Sequence, residues 1–171
     1  MQYTCTICGK IHEDWPAIAF SSPDNYEGLT PLEKQSLASL TADFCEIRHE
    51  DQTDRFIRCV LFQEIIGQDE PLHYGIWVSL SEKSFTDYKE HYQDHNHEAT
   101  YFGYICNTIP GYQSTMSIPS NVVVGRDNNR PEIIPHKSFK HPFVSDYFDG
   151  ITLQEAEKRI HEALNRQENN A

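Results

Sequence analysis

Residues 72–80, LHYGIWVSL, place Leu72, Tyr74, Ile76, Val78 and Leu80 on one side of an extended chain and His73, Gly75, Trp77 and Ser79 on the other. Side chains alternate across a strand, so one face of this segment needs a core to cover it. It constrains the fold more than any other stretch, because a strand of this kind is stable only within a larger sheet. Two companions are at hand. RFIRCVLF (55–62) is apolar at nearly every position, which suits an inner strand covered on both faces. TYFGYICNTI (100–109) is a third, closed by Pro110-Gly111. STMSIPSNVVVG (114–125) reads as two short strands broken at Pro119, since proline cannot donate to a ladder. GRDNNRP (125–131) is a turn-rich stretch that leads into EIIP.

Three helix starts stand between or beyond these strands. TPLEKQSLASL has Thr30 as N-cap, Pro31 at the first helical position and Glu33 to complete a capping box. SLSEKSFTDYKEHYQ offers Ser79 or Ser81 as the cap, followed by Phe85, Tyr88 and Tyr92 at helical spacing. TLQEAEKRIHEALNR pairs Thr152 with Glu155 and carries one apolar stripe of Leu153, Ala156, Ile160, Ala163 and Leu164. Helices are therefore expected at about 31–40, 82–95 and 153–166, with boundaries good to two to four residues. The order strand, strand, helix, strand, strand has only one long crossover. The predicted fold is α+β, with helices flanking a mainly antiparallel sheet built from 55–62, 72–80 and 100–109. At 171 residues the chain fits a single domain, residues 1–167, with 168–171 as a frayed polar tail.

The 26 acidic and 14 basic residues leave a formal net charge of −12. That balance argues against nucleic acid as a partner, because phosphate binding calls for a basic face. It equally argues against docking on anionic membranes. No apolar run approaches the ~20 residues that span a bilayer. The N-terminus, MQYTCTICGK, lacks a basic start followed by an apolar stretch, so no signal peptide is expected and the default compartment is cytoplasmic. Five cysteines, scattered after the first pair, fit a reducing compartment better than a disulfide framework.

That first pair, in CTICG, has the spacing of a half zinc knuckle. The two residues between Cys5 and Cys8 form a turn that lets both sulfurs face one ion, and Gly9 suits the sharp return of the chain. His12 is a candidate third ligand. Cys45, in DFCEI, is the best fourth, being nearest in sequence and at an expected strand start. Cys59 and Cys106 fall inside apolar strands, where cysteine behaves as a small hydrophobe. A redox pair is disfavoured, since a thioredoxin-like dithiol follows a strand and opens a helix. Reduced, metal-free cysteines remain the plain alternative, because no second C-x-x-C completes the set.

Two histidine groups stand apart. EHYQDHNHE (90–98) holds His91 and His95 four residues apart on one helix face, with His97 close by. The spacing can chelate, yet a solvated helix end with histidines favoured by the dipole is the more ordinary reading. HKSFKHP (136–142) carries His136 and His141 beside two lysines and suits an anion site or an acid–base pair. A lead-in to a helix through FVSDYFDG, with Pro142 in its first turn, accounts for the same residues. Arg126 and Arg130 flank an amide-rich turn and suit an acidic ligand or the local Asp127. Ser79 and Ser81 lack a G-x-S-x-G setting, and no phosphate loop or dinucleotide fingerprint occurs.

The blocks CTICGKIH, DFCEI, RFIRCVLFQEI, YGIWVSLSEKSF, YFGYICNTIPGYQSTMSI, RPEII and HPFVSDYFDGIT together resemble an uncharacterised bacterial family, a domain of unknown function. The likeness runs from about residue 3 to 155. Its most distinctive segments are G-x-W-V-S-L-S-E and F-G-x-x-x-x-x-x-P-x-Y. The resemblance implies an N-terminal C-x-x-C-G-x-x-H and a D-x-C after the first helix, matched here by Cys5, Cys8, His12 and Cys45. It implies no activity, substrate or partner, and the polar loop RPEIIPHKSFKHP departs from its pattern.

The leading expectation is a small cytoplasmic binding or interaction domain with a structural zinc and an unidentified protein or small ligand as partner. The aromatics Trp77, Tyr101, Phe102, Tyr104 and Tyr112 either line its groove or belong to the core, and the core is the ordinary place for them. The alternative is a zinc-dependent hydrolase or deaminase-like enzyme, which needs three protein ligands, an exchangeable water and a carboxylate base such as Glu13 or Asp14.

Overall fold

A computed structural model describes Tyr3, Thr4, Gly9, Ile11, His12 and residues 16–127 and 129–169. β1 (Tyr3–Thr4) and β2 (Ile11–His12) pair antiparallel as a separate ladder. β3 (Ile18–Ala19), α1 (Asp24–Glu27), α2 (Pro31–Leu37) and β4 (Ala38–Leu40) follow. The central elements are β5 (Phe44–Arg48), β6 (Thr53–Gln63), β7 (Leu72–Leu80), α3 (Glu82–Glu90) and β8 (Ala99–Ile105). β9 (Pro119–Val124), β10 (Glu132–Pro135), α4 (Pro142–Asp149) and α5 (Leu153–Asn169) complete the chain.

The fold is α+β, and most of its strand pairs are antiparallel, as the sequence predicts. The sheet is not open, however. β6 lies against β7 along one side, with Ile57 opposite Val78 and Leu61 opposite Tyr74. Its other side takes β5 over the first half and β10 in the second, where Glu132 meets Val60 in a parallel pair. β7, β8, β9 and β10 are successive antiparallel neighbours, so the β10–β6 pair closes a five-stranded mixed barrel. β3 adds to β7 in parallel, and β4 extends the β5 edge. Closure of a barrel removes the sheet edges that an open meander would expose.

Local chemistry sets the element ends. Thr30 and Glu33 form the reciprocal capping box at α2, with the Thr30 amide donating to the Glu33 carboxylate at 2.8 Å. A cap of this kind contributes about 1 kcal/mol. α2 nonetheless stops at Leu37, because Ala38–Leu40 pair with β5 instead of continuing the helix. Ser81, not Ser79, caps α3 by accepting from the Ser84 amide. α3 ends at Glu90, short of the expected 95, and residues 91–98 turn back to β8. Pro119 starts β9 rather than breaking a pair of strands, and the segment before it is a turn with Ser117 at φ 62°. At α5 the Thr152 hydroxyl accepts from the Glu155 amide, but the Glu155 carboxylate reaches Arg159, so only half of the expected box forms.

Two apolar layers result. The inner faces of the barrel strands, including Ile57, Cys59, Leu61, Tyr74, Ile76, Val78, Ile105 and Val122, form one buried core, joined by Phe85 and Tyr88 from α3, Phe143 from α4 and Ile160 from α5. Each fully buried side chain of this size contributes about 1.5–3 kcal/mol. A second cluster lies outside the barrel wall, where Cys45, Ile47, Phe56, Trp77 and Cys106 are covered by Phe20, Tyr26 and Leu29. Asn107 ties this cover down, since its Oδ1 accepts from the Trp77 amide and its Nδ2 donates to Ser22 and Asp24. α3 packs Phe85 and Tyr88 into the core at the end where β7 finishes, and α5 packs Ala156 and Ile160 into it at the end where β7 begins, with Arg159 reaching Gln63 and Tyr74. Gly103 is needed at the crossing of β7 and β8, because a Cβ there would lie 2.8 Å from the Ser79 carbonyl oxygen.

Candidate functional site

The expected zinc set divides at the boundary of the described residues. Cys5 and Cys8 lie outside them, as do Glu13 and Asp14. What is described is the frame around the cysteines. β1 and β2 set Tyr3 opposite His12, and Gly9 between them has φ +69°, the left-handed conformation that glycine adopts without strain. Cys45 sits on β5, opposite Leu40 and Phe56, with no exposed surface. Burial first, and then the neighbouring Glu46 and Cys106, push its thiol up to about 12.

A cleft with aromatic walls opens on the outside of the barrel near the start of α3, with a volume of about 760 Å³. Phe102 and Tyr104 form one wall. They project from the outer face of β8 with their rings edge to face at 5.0 Å, and each is more than two-fifths exposed. Ser79, Ser81, Ser84 and Ser117 bring hydroxyls around the space, and Met116 and Phe56 add apolar surface. The cleft holds two charged residues, each already paired. Arg55 donates to Glu82 at 3.0 Å and to the Thr53 carbonyl, and Asp54 contacts His49 and Gln52, each at 3.0 Å.

At the α3 end of the barrel, a separate cluster forms. His91 is the C-cap of α3, and its ring stacks on that of His97 at 4.3 Å with an interplanar angle of 8°. Asp87 lies one turn back on the helix. Its Oδ1 is 3.5 Å from His91 Nδ1, and its Oδ2 is 3.6 Å from His97 Nε2. The Tyr101 hydroxyl donates to Asp87 Oδ2 at 2.6 Å and contacts His97 Nε2 at 3.0 Å. Burial, followed by that bond to Asp87, raises the Tyr101 phenol, which stays a neutral donor. His95, expected to share a face with His91, is not part of this group, because the helix has ended before it. His136 contacts Asn121 Oδ1 at 3.0 Å, and His141 Nδ1 accepts from the Phe143 amide as the N-cap of α4. Arg130 binds Asp43 at 2.7 Å and Arg126 binds Glu98 at 3.2 Å, rather than Asp127.

A family model for uncharacterized proteins conserved in bacteria, DUF2199, matches residues 4–151. The chain belongs to that family. No curated protein and no solved structure matches it. Among the described residues no helix is long and apolar enough to cross a membrane.

The DUF2199 chain also contains a polar centre that sequence reading missed. Arg159 of α5 is fully buried at the other barrel end. Its guanidinium donates to Gln63 Oε1 at 2.7 Å, to the Tyr112 hydroxyl at 2.6 Å and to Glu155 at 3.0 Å, and lies 4.5 Å from the Tyr112 ring centre. Tyr112 passes the contact on by donating to Asp146 at 2.6 Å. In the sequence, the Glu155–Arg159 spacing of four was the available signal, but the same spacing is common on solvated helix faces. Asp87, four residues before His91, was legible in the same way and was overshadowed by the three histidines.

Proposed function

We propose that this DUF2199 chain is a binding domain that takes a small, uncharged polar ligand against Phe102 and Tyr104, with a structural zinc bracing its N-terminal segment. The observation that carries the reading is the cleft beside β8, which exposed aromatic rings and four serines line together and in which both charged residues already have partners. Its volume lies in the range of small-molecule sites. Aromatic rings supply a flat apolar contact and hydroxyls supply adaptable donors and acceptors. A charged ligand would have to displace one of those partners to be matched. The test is a saturation-transfer screen of neutral sugars, nucleosides and short amide peptides against the wild-type chain and Phe102→Ala/Tyr104→Ala. Hits that disappear in the double variant are expected. Hits that survive it unchanged, or come only from charged compounds, would overturn the reading.

The zinc is assigned to Cys5, Cys8, His12 and Cys45. The antiparallel β1–β2 ladder and the positive φ of Gly9 support it, because both suit a tight metal-bearing hairpin. Four protein ligands leave no open position, so the ion is structural rather than catalytic. A coordinated thiol is deprotonated outright by the metal, which Cys45 requires. About one zinc per purified chain is expected, and chelation should speed hydrogen exchange around the N-terminal residues and Cys45. Unchanged exchange in a sample shown to have lost its metal would rule the structural zinc out.

A further inference from the structure

We propose that Asp87, His91 and His97 form a second, exchangeable site for a divalent ion of the zinc class, with Tyr101 as the residue that positions the carboxylate. One donor atom from each of the three lies within 4.8 Å of the others. Tetrahedral zinc with bonds of about 2.0–2.1 Å sets its ligand atoms about 3.3–3.4 Å apart. His91 Nδ1 is already 3.5 Å from Asp87 Oδ1, and His97 Nε2 is 3.6 Å from the other oxygen of the same carboxylate, Oδ2. Two imidazoles and one carboxylate suit zinc, cobalt, nickel or copper, whereas magnesium and calcium prefer oxygen alone.

The surroundings are arranged as an outer shell would be. Tyr101 holds Asp87 Oδ2 and leaves Oδ1 for the ion, and its 3.0 Å contact with His97 Nε2 is given up when that nitrogen turns to the metal. His91 Nδ1 rests 2.8 Å from the Asp87 carbonyl, which also accepts the His91 backbone amide at 3.2 Å. The ring can therefore leave that carbonyl without orphaning it. The stack itself must open. Imidazole lone pairs lie in the ring plane, and two nearly parallel planes cannot both contain one ion. One ring turns about its Cβ–Cγ bond, exchanging the stack for two metal bonds. Asp87 and His91 are each about two-fifths exposed, at 44% and 41%, so the fourth position faces solvent. This site differs from the cysteine set in having an open coordination position and no thiolate.

The test is a Co²⁺ titration of the full chain, followed by visible absorption and by histidine side-chain NMR. It is run on wild type and on Cys5→Ser/Cys8→Ser, which removes the N-terminal thiolates. Cobalt at the proposed site gives ligand-field bands without thiolate charge transfer and shifts the His91 and His97 ring signals together. His91→Ala and His97→Ala should each lose more affinity than the roughly 10–100-fold expected for Tyr101→Phe, which removes only an outer-shell partner. His95→Ala should leave binding unchanged. Binding undiminished in His91→Ala and His97→Ala overturns the proposal. So does cobalt uptake in wild type that shows only thiolate charge-transfer bands. The latter outcome is readable even if the cysteine variant does not fold.

Discussion

The two ends of the barrel use polar side chains in opposite ways. At the α5 end, Arg159 is sealed from water, and Gln63, Tyr74, Tyr112 and Glu155 accept from it. At the α3 end, Asp87, His91 and His97 stand partly in solvent, and one tyrosine hydroxyl joins the carboxylate to a ring nitrogen. Burial makes the first arrangement costly to disturb, because a charge or acceptor left unpaired in the interior keeps its desolvation cost. Exposure makes the second cheap to disturb, since water replaces any lost partner. The first therefore specifies the fold and the second is free to exchange ligands.

The comparison is broken most directly at Arg159. Arg159→Ala should destabilise the chain by about 3–5 kcal/mol, the range for breaking a buried charge network by removing one partner. Urea denaturation measures it, and a loss under about 1 kcal/mol would mean that the network is not what holds α5 on the barrel. Tyr112→Phe comes next. It removes the hydroxyl between Arg159 and Asp146, and a loss of about 1.5–3 kcal/mol follows from hydrogen bonds to charged groups.

Effects at the other end should be smaller. Tyr101→Phe keeps the ring contact with Tyr88 and loses one hydroxyl, so about 0.5–1.5 kcal/mol is expected by the same denaturation. The smallest is His91→Ala, which should change stability by no more than about 0.5 kcal/mol, as exposed substitutions do. A loss above 2 kcal/mol there would make the histidine stack a structural element and erase the contrast between the ends.

Much of the architecture was legible because it depends on local periodicity. The alternation over 72–80 placed Leu72, Tyr74, Ile76, Val78 and Leu80 inside correctly, and the Thr30, Ser81 and Thr152 caps lie where the sequence puts them. The aromatic set split. On β8 Tyr101 is buried while Phe102 and Tyr104 face out, because alternate positions of a strand point to opposite faces. Trp77, by contrast, lies on the outer face of β7 and is buried by the cover of Phe20, Tyr26 and Leu29. The sequence does not mark which face of β8 the barrel turns inward.

By itself, then, the sequence determined the class of fold, the strand and helix cores, the acidic charge and the family, since these follow from nearest-neighbour patterning and composition. Tertiary structure decided the rest. Barrel closure rests on Glu132 meeting Val60, a pairing between distant strands with no local signature. Asp87, His91, His97 and Tyr101 converge only because α3 stops at Glu90 and the chain turns back into β8. Arg159 becomes buried only when α5 lies across the barrel end, where Gln63, Tyr74 and Tyr112 arrive from three separate segments. Periodicity reports which side of an element is apolar. Which polar groups meet is set by how the elements are placed, and that placement is a property of the packed whole.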